Sequence, residues 1–140
     1  ISGSDNYYNH GIYTGWQHWG MSIGNPLYLS PVNNKDHLLT FKNNRFIGHH
    51  LGFCGEPSRE LHYRILYTYT TNLGTYSQPY EYKIHSTSFL AEICYSPHCL
   101  GRWSSEGNTI RLGFGFDRGH LIGNHTGIQL TFCSKGLLQL

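Results

Sequence analysis

The apolar and polar residues of this chain alternate over several segments with the two-residue period of a β-strand. From Leu61 to Thr70, Leu, Tyr and Ile occupy the odd positions, and His, Arg, Leu and Thr occupy the even ones. The segments Asn108–Phe116 and Gly127–Cys133 repeat the pattern, with Ile110, Leu112, Phe114 and Phe116 on one side of the first. Because side chains of a strand point to opposite faces in turn, these segments are predicted as half-buried strands.

Turn residues divide the rest of the chain into short elements. Tyr80–His85 and Ser88–Tyr95 are predicted as two strands joined by a bend. Asn43-Asn44 is predicted as the turn of a hairpin, because Asn tolerates positive φ. Residues 48–58 contain Gly, two adjacent His and Pro57, and are predicted as a long loop anchored by its cysteine.

These elements predict an all-β fold. About eight short strands with turns every 8 to 12 residues are typical of an antiparallel β-sandwich or barrel. The chain contains 17 Gly and a single Ala, Ala91, so it is poor in helix formers. No repeat or linker divides it, and residues 1–140 are predicted as a single β-rich domain.

Composition narrows the class of protein. The 140 residues are 39% apolar and 15% aromatic with a formal net charge of only +2, which argues against a disordered chain. No apolar run approaches the roughly 18 residues of a membrane span. The ten Lys and Arg are dispersed, so the basic footprint of a nucleic-acid-binding protein is missing.

The cysteines predict an oxidising compartment. Four of them, an even number, are what two disulfides require in a secreted domain. Three pairings are open among Cys54, Cys94, Cys99 and Cys133. A zinc site built on Cys94, His98 and Cys99 is the alternative, but only one cysteine pair is near the usual ligand spacing, so neither a metal nor a cofactor is predicted.

A glycosylation sequon points to the same compartment. Asn124-His125-Thr126 would accept a glycan in a secretory pathway. We therefore expect an extracellular or secreted protein, or the ectodomain of a surface glycoprotein, without a membrane span in this sequence.

The string Asp117-Arg118-Gly119-His120 resembles the signature of non-specific DNA/RNA endonucleases with a ββα-metal site. The resemblance implies that His120 is a general base, that Arg118 lies near the phosphate, and that a downstream Asn on a helix holds Mg²⁺. Asn124 is too close to His120 for that geometry. The competing interpretation is a tight turn of a β-hairpin.

Two further strings resemble motifs of cysteine hydrolases. The segment around His18, Gln17–Asn25, is similar to the H-box of the lecithin:retinol acyltransferase-like proteins, in which a strand His activates a Cys in an Asn-Cys motif. That motif is missing, and Cys94 would have to serve. Gly52–Glu56 resembles the nucleophile turn of viral chymotrypsin-like cysteine proteases, although Cys54 comes early in the chain.

Aromatic residues are the most useful indication of function. Tyr and Trp suit protein and carbohydrate recognition alike, because they present large faces with polar tips. Five lie in the Gly- and Asn-rich first segment: Tyr7, Tyr8, Tyr13, Trp16 and Trp19. The alternative is that they fill the core.

The sequence favours a non-catalytic binding module, outside the cell or on a virion surface, that recognises a cell-surface glycan or protein receptor through these aromatic loops. A lectin or a viral attachment domain would fit equally. The alternatives are a magnesium-dependent nuclease-like protein and a cysteine hydrolase. The oligomeric state is left open.

Overall fold

The computed structural model describes residues 16–25, 27–29, 40–97 and 108–134, and within them the protein is all-β. The strands are β1 (Gln17–His18), β2 (Met21–Ser22), β3 (Arg45–Ser58), β4 (Leu61–Gly74), β5 (Pro79–Tyr95), β6 (Thr109–Gly119) and β7 (His125–Cys133). The all-β prediction is confirmed. None of the described residues forms a helix, and so none provides a helix that could cross a membrane.

The strands form two sheets. β1 and β2 pair as a small antiparallel hairpin, and the other five form one antiparallel sheet in the order β3-β4-β5-β6-β7. Each strand of the large sheet therefore lies beside the next in the sequence. In the described part of the chain β3 and β7 are its edges.

The predicted loop at residues 48–58 is wrong, because these residues belong to β3. Two of its three glycines, Gly52 and Gly55, lie beneath side chains of β4. A Cβ on Gly55 would come within 2.6 Å of the Tyr63 hydroxyl oxygen, and one on Gly52 would lie 3.1 Å from Leu66 Cδ2. Pro57 is accommodated because β3 is an edge strand. Composition suggested a loop, whereas the glycines make room for cross-strand packing.

The predicted turn at Asn43-Asn44 is also wrong. Both residues are buried, and Asn43 forms an antiparallel bridge with Leu29. Its amide Nδ2 donates to Asn72 Oδ1 (2.9 Å), and its Oδ1 accepts from the Gly74 backbone N–H (3.0 Å). Asn43 is therefore a buried hydrogen-bonding centre instead of an exposed turn residue.

The two strands predicted at 80–85 and 88–95 are one continuous strand, β5. Ser86, at the predicted bend, is buried and accepts from Asn72 Nδ2 (3.4 Å). The predicted strands at 61–70 and 127–133 are confirmed within β4 and β7, and the one predicted at 108–116 is confirmed from Thr109 onward in β6.

The chain divides into two compact units. Unit 1 comprises residues 1–49, 69–87 and 118–123, and unit 2 comprises 50–68, 88–117 and 124–140. Among the described residues, the buried apolar side chains, Leu29 and Phe41, both belong to unit 1. The same unit buries a group of polar residues: Asn43, Asn44, Thr70, Asn72, Thr75 and Ser86.

In unit 2, contacts between strands show which side chains share a face of the sheet. Arg64 Nη2 of β4 lies 3.3 Å from Glu92 Oε1 of β5, and Arg111 Nε of β6 lies 3.8 Å from the same oxygen. Phe89 and Phe116 stack with ring centroids 5.3 Å apart. Because neighbouring side chains of a strand point to opposite faces, the ion pairs and the stacked rings lie on opposite sides.

Extending this alternation along all five strands defines an apolar face and a polar face. The apolar face contains Leu51, Phe53, Tyr63, Ile65, Tyr67, Phe89, Ile93, Tyr95, Ile110, Leu112, Phe114, Phe116, Ile128, Leu130 and Phe132, and it carries no charge. The charged strand residues of unit 2 lie on the polar face: Glu56, Arg64, Glu92, Arg111 and Asp117. The sheet of unit 2 is thus amphipathic, with one apolar face and one polar face.

The predicted disulfides are not found among the described cysteines. Cys54, Cys94 and Cys133 are free, and they lie on β3, β5 and β7, each separated from the next by an intervening strand. Two strand spacings are about 9.6 Å, whereas the Cα atoms of a disulfide lie within about 7 Å. Every two-disulfide pairing of the four cysteines joins two of these three, so this sheet accommodates none of them. Cys99 lies outside the described residues.

Candidate functional site

The hairpin of β1 and β2 presents the most exposed tryptophan among the described residues. Its register pairs Gln17 with Ser22 and His18 with Met21, which leaves Trp19 and Gly20 as a two-residue loop. The backbone N–H of Ile23 closes the hairpin by donating to Trp16 O (3.0 Å). We call residues 16–23 the aromatic hairpin.

The loop of the aromatic hairpin places Trp19 in an unusual backbone conformation. Its φ is 51° and that of Gly20 is 76°, the two positive values of the turn that matches the twist of a β-hairpin. Asn-Gly is the usual sequence at these positions, and Trp19 is the only residue other than glycine with positive φ among those described. Its ring is 87% exposed and meets His18 edge to face at 6.2 Å.

Of the five aromatic residues predicted to bind a ligand, the structure describes Trp16 and Trp19 and brings them together. Both are exposed in the aromatic hairpin, together with Met21 and Ile23. The alternative that these two tryptophans fill the core is therefore wrong. The other three, Tyr7, Tyr8 and Tyr13, lie outside the described residues.

The Asp117–His120 string occupies the end of a hairpin. Asp117 and Gly119 belong to β6, His120 lies in the turn, and Asp117 is paired with His125 of β7. Gly119, with φ 154°, packs against His85 and Ser86, where a Cβ would come within 2.7 Å of the His85 carbonyl oxygen. The tight-turn interpretation of this string is the one that the structure supports.

The metal-binding helix implied by the nuclease resemblance does not follow His120 in the described chain. Residues 121–124 form the turn, and β7 continues from there to Cys133. Asn124 is an exposed residue of that turn, where a glycan on the predicted sequon would have room. Arg118 is also exposed. Among the described residues no group of three His, Cys, Asp or Glu is placed to hold a metal ion.

The residues of the two hydrolase motifs lie on strands. His18 belongs to β1 in unit 1, and Cys94 belongs to β5 in unit 2. Cys54, predicted to lie in a loop, is exposed within the strand β3 instead of in the turn that its motif implies. The strand position of His18 matches the H-box, but neither cysteine has the setting that its motif requires.

A groove on the polar face of unit 2 was missed at the sequence level. It has a volume of about 640 Å³, and three glycines on β6 and β7, Gly113, Gly115 and Gly127, contribute to its lining. Gly115 and Gly127 are directly paired across the two strands. Polar side chains surround them: Arg64, Glu92, Arg111, Asp117, His125, Gln129 and Thr131.

The sequence contains the signal for this groove. In Leu112-Gly113-Phe114-Gly115-Phe116 the period of two places both glycines on one face and the large side chains on the other. Glycines on neighbouring strands leave the backbone open, which is where a ligand can approach a sheet closely.

Unit 1 has a second pocket, of about 700 Å³, beside His120. Tyr80, Tyr82, Ile84 and His85 of β5 line it together with His120. Burial raises the pKa of the Tyr80 phenol above its ordinary value. His85 is held by Tyr69, whose hydroxyl lies 2.7 Å from His85 Nδ1 and whose ring stacks on the imidazole.

Comparison of the chain with protein-family models, with curated proteins and with solved structures finds no match.

Proposed function

We propose that this protein is a non-catalytic binding module, on the outside of a cell or on a virion surface, that recognises a protein receptor through the aromatic hairpin. The observation that carries the proposal is Trp19. A left-handed conformation costs an L-residue about 1 kcal/mol, and the exposed ring contributes little packing to the described fold. Strained residues concentrate at functional sites, and Trp is enriched among the residues that dominate binding energy.

The neighbours of Trp19 favour a protein over a glycan as the ligand of this hairpin. Trp16, Met21 and Ile23 are also exposed, so apolar side chains dominate the surface of the hairpin. Aromatic residues and Met are enriched at protein interfaces. A sugar-binding loop would combine its aromatic ring with several polar side chains.

The exposed Asn124 sequon supports the extracellular location. We also propose, from the strand pattern, that the large sheet is one layer of a β-sandwich, since an apolar sheet face requires a second layer to cover it. Within this chain the covering layer is not among the described residues of unit 2.

The test is binding of fluorescently labelled protein to a panel of animal cell lines, comparing the native chain with Trp19→Gly. Glycine suits the positive φ, so this variant removes the ring and relieves strain at the same time. We expect at least a tenfold loss of cell binding with the hairpin intact. Tyr82→Ala, which removes another highly exposed aromatic ring (76%) from β5, is the matched control and is expected to retain binding.

Treatment of the cells identifies the receptor class. Protease treatment abolishes binding to a protein receptor, whereas removal of sialic acid, N-glycans and heparan sulfate leaves it intact. Native binding by the Trp19→Gly variant would overturn the proposal.

A glycan is the second candidate, and the groove on the polar face favours it. Carboxylate, guanidinium, amide and imidazole groups line a glycine-containing depression there. Nothing lies within 4 Å of a Cβ placed on Gly127, so Gly127→Phe fills the groove without a clash at that atom. Loss of cell binding in Gly127→Phe, but not in Trp19→Gly, would assign recognition to the groove.

A further inference from the structure

The apolar face of unit 2 extends over all five strands of the large sheet. Thirteen of its fifteen members are exposed, and these thirteen lie on all five strands, with Leu130 at 72% and Ile128 at 76% on the edge strand β7. Soluble monomers rarely expose contiguous apolar patches of more than a few hundred Å². This face therefore requires a cover.

Two strands show how continuous the face is. The register of β6 and β7 pairs Ile110 with Phe132, Leu112 with Leu130 and Phe114 with Ile128. Side chains directly opposite each other point to the same face of a sheet. These three pairs form an unbroken apolar band that reaches the edge of the sheet.

The dimensions of the face match a dimer interface. Each of the five strands has four alternate positions on this face, and fifteen of these twenty positions carry the apolar side chains listed above. With strands about 4.8 Å apart and alternate positions at about 6.8 Å intervals, the face covers roughly 600 Å². Two such faces together contribute roughly 1,200 Å² before the relief of the side chains is counted. Stable protein interfaces bury about 1,200–2,000 Å² in total.

The distribution of charge favours a second copy of the same chain. The apolar face has no charged residue, because every charged strand residue of unit 2 lies on the polar face. In a two-fold interface the same surface of both copies meets, so charged residues there would place like charges close together. The apolar face has no charged residues, and this repulsion is therefore absent. Two sheets of one sequence pack at about 10 Å with their strands nearly aligned.

We infer that the protein forms a homodimer in which the apolar faces of two unit 2 sheets pack against each other and create a β-sandwich. The second layer of the sandwich is then supplied by the second copy. The polar face, with its groove and the three described cysteines, stays on the outside. This inference is independent of the receptor-binding proposal, because the aromatic hairpin belongs to unit 1.

The test is the molar mass in solution, measured by light scattering and by sedimentation, with unglycosylated protein under reducing conditions. We expect the native chain to have twice its 16.0 kDa mass. Leu130→Glu places a charge on the apolar face and is expected to be monomeric at concentrations where the native chain is dimeric. Its matched control, Gln129→Glu, adds the same carboxylate to the polar face one residue away and remains a dimer.

Two further readouts keep the result decisive. Circular dichroism shows whether Leu130→Glu keeps its strands, and the high exposure of Leu130 predicts that it does. The monomeric variant is expected to bind the dye anilinonaphthalene sulfonate, which the native dimer does not. Because the contact is apolar, the native dimer persists in 1 M NaCl.

Several outcomes would overturn the inference. A native monomer that does not bind the dye would mean that another part of the chain covers the face. A native monomer that binds the dye would mean that the face awaits a different partner. A dimer that survives Leu130→Glu, or that Gln129→Glu also dissociates, would place the interface elsewhere.

Discussion

The two compact units use opposite arrangements of polar and apolar residues. Unit 1 buries Leu29, Phe41 and a network of asparagine, threonine and serine side chains, whereas the described strands of unit 2 leave most of their large apolar side chains exposed on one face. β4 passes from one arrangement to the other, with Tyr63 and Ile65 exposed in its first half and Thr70 and Asn72 buried in its second. Side-chain hydrogen bonds connect the buried polar residues of unit 1, whereas the described strands of unit 2 present an exposed apolar face.

The largest test of this comparison is one substitution made in each unit. Gly74 in unit 1 has φ 82°, and a Cβ there would lie 2.6 Å from the Gln78 carbonyl oxygen and 2.8 Å from the Tyr80 nitrogen. Gly74→Ala is expected to lower the free energy of unfolding by about 3 kcal/mol, because strain and a backbone clash add. Urea unfolding followed by circular dichroism at fixed protein concentration measures the change.

Gly127 of unit 2 is the matched position, with open space around the added Cβ. Gly127→Ala is expected to be neutral or to raise the free energy of unfolding by up to about 1 kcal/mol, because Ala loses less backbone entropy than Gly in a strand. Equal losses in the two variants would contradict the contrast between the units.

The next test compares two buried asparagines of unit 1, one whose side chain is hydrogen-bonded and one whose side chain is not. Asn43→Ala leaves the Gly74 N–H and Asn72 Oδ1 without the partner that Asn43 provides, so we expect a loss of about 2 kcal/mol. In Asn44 both side-chain polar atoms are buried with no hydrogen-bond partner in the described structure. Asn44→Ala removes that unfavourable burial, and we expect a change within about 1 kcal/mol.

Thermal and urea unfolding of the two variants, measured side by side, give the comparison. A larger loss for Asn44→Ala than for Asn43→Ala would contradict the network described for unit 1.

The smallest effect concerns pH. Burial raises the pKa of the Tyr80 phenol in the folded protein, so the folded state binds that proton more tightly than the unfolded chain does. The stability this provides is fully present below about pH 10 and is lost as the pH rises through the raised pKa. Tyr80→Phe is expected to lose less stability than the native chain between pH 8 and pH 11.

Urea unfolding at both pH values measures this difference. Tyr82→Phe, an exposed position on the same strand, is expected to keep the native pH dependence. An identical pH dependence for Tyr80→Phe and the native chain would exclude Tyr80 as the source.

Sequence patterns predicted the strands in which apolar and polar residues alternate, such as Leu61–Thr70, because successive side chains of a strand point to opposite faces of the sheet. They failed at residues 48–58, where glycine and proline indicated a loop. Local composition does not reveal that Tyr63 and Leu66 of the next strand lie over Gly55 and Gly52. The turn predicted at Asn43-Asn44 failed for the same reason, because the hydrogen-bond partners of Asn43 are distant in sequence.

The candidate site was predicted only in part. Trp16 and Trp19 were chosen for their aromatic character, and the structure places both in one exposed hairpin. The backbone strain at Trp19 could not be foreseen, because Trp-Gly is not a usual turn sequence. The disulfide framework failed because cysteine parity does not indicate which strands separate the cysteines.

The strand order of the large sheet has a consequence for how it is made. Every strand pairs with its neighbour in the sequence, and β3 and β4 are joined by only Arg59 and Glu60. Local pairing of this kind shortens the loops that folding must close. The sheet can therefore form one strand at a time as the chain leaves the ribosome. Each added strand enlarges the exposed apolar surface through which the nascent chain can aggregate.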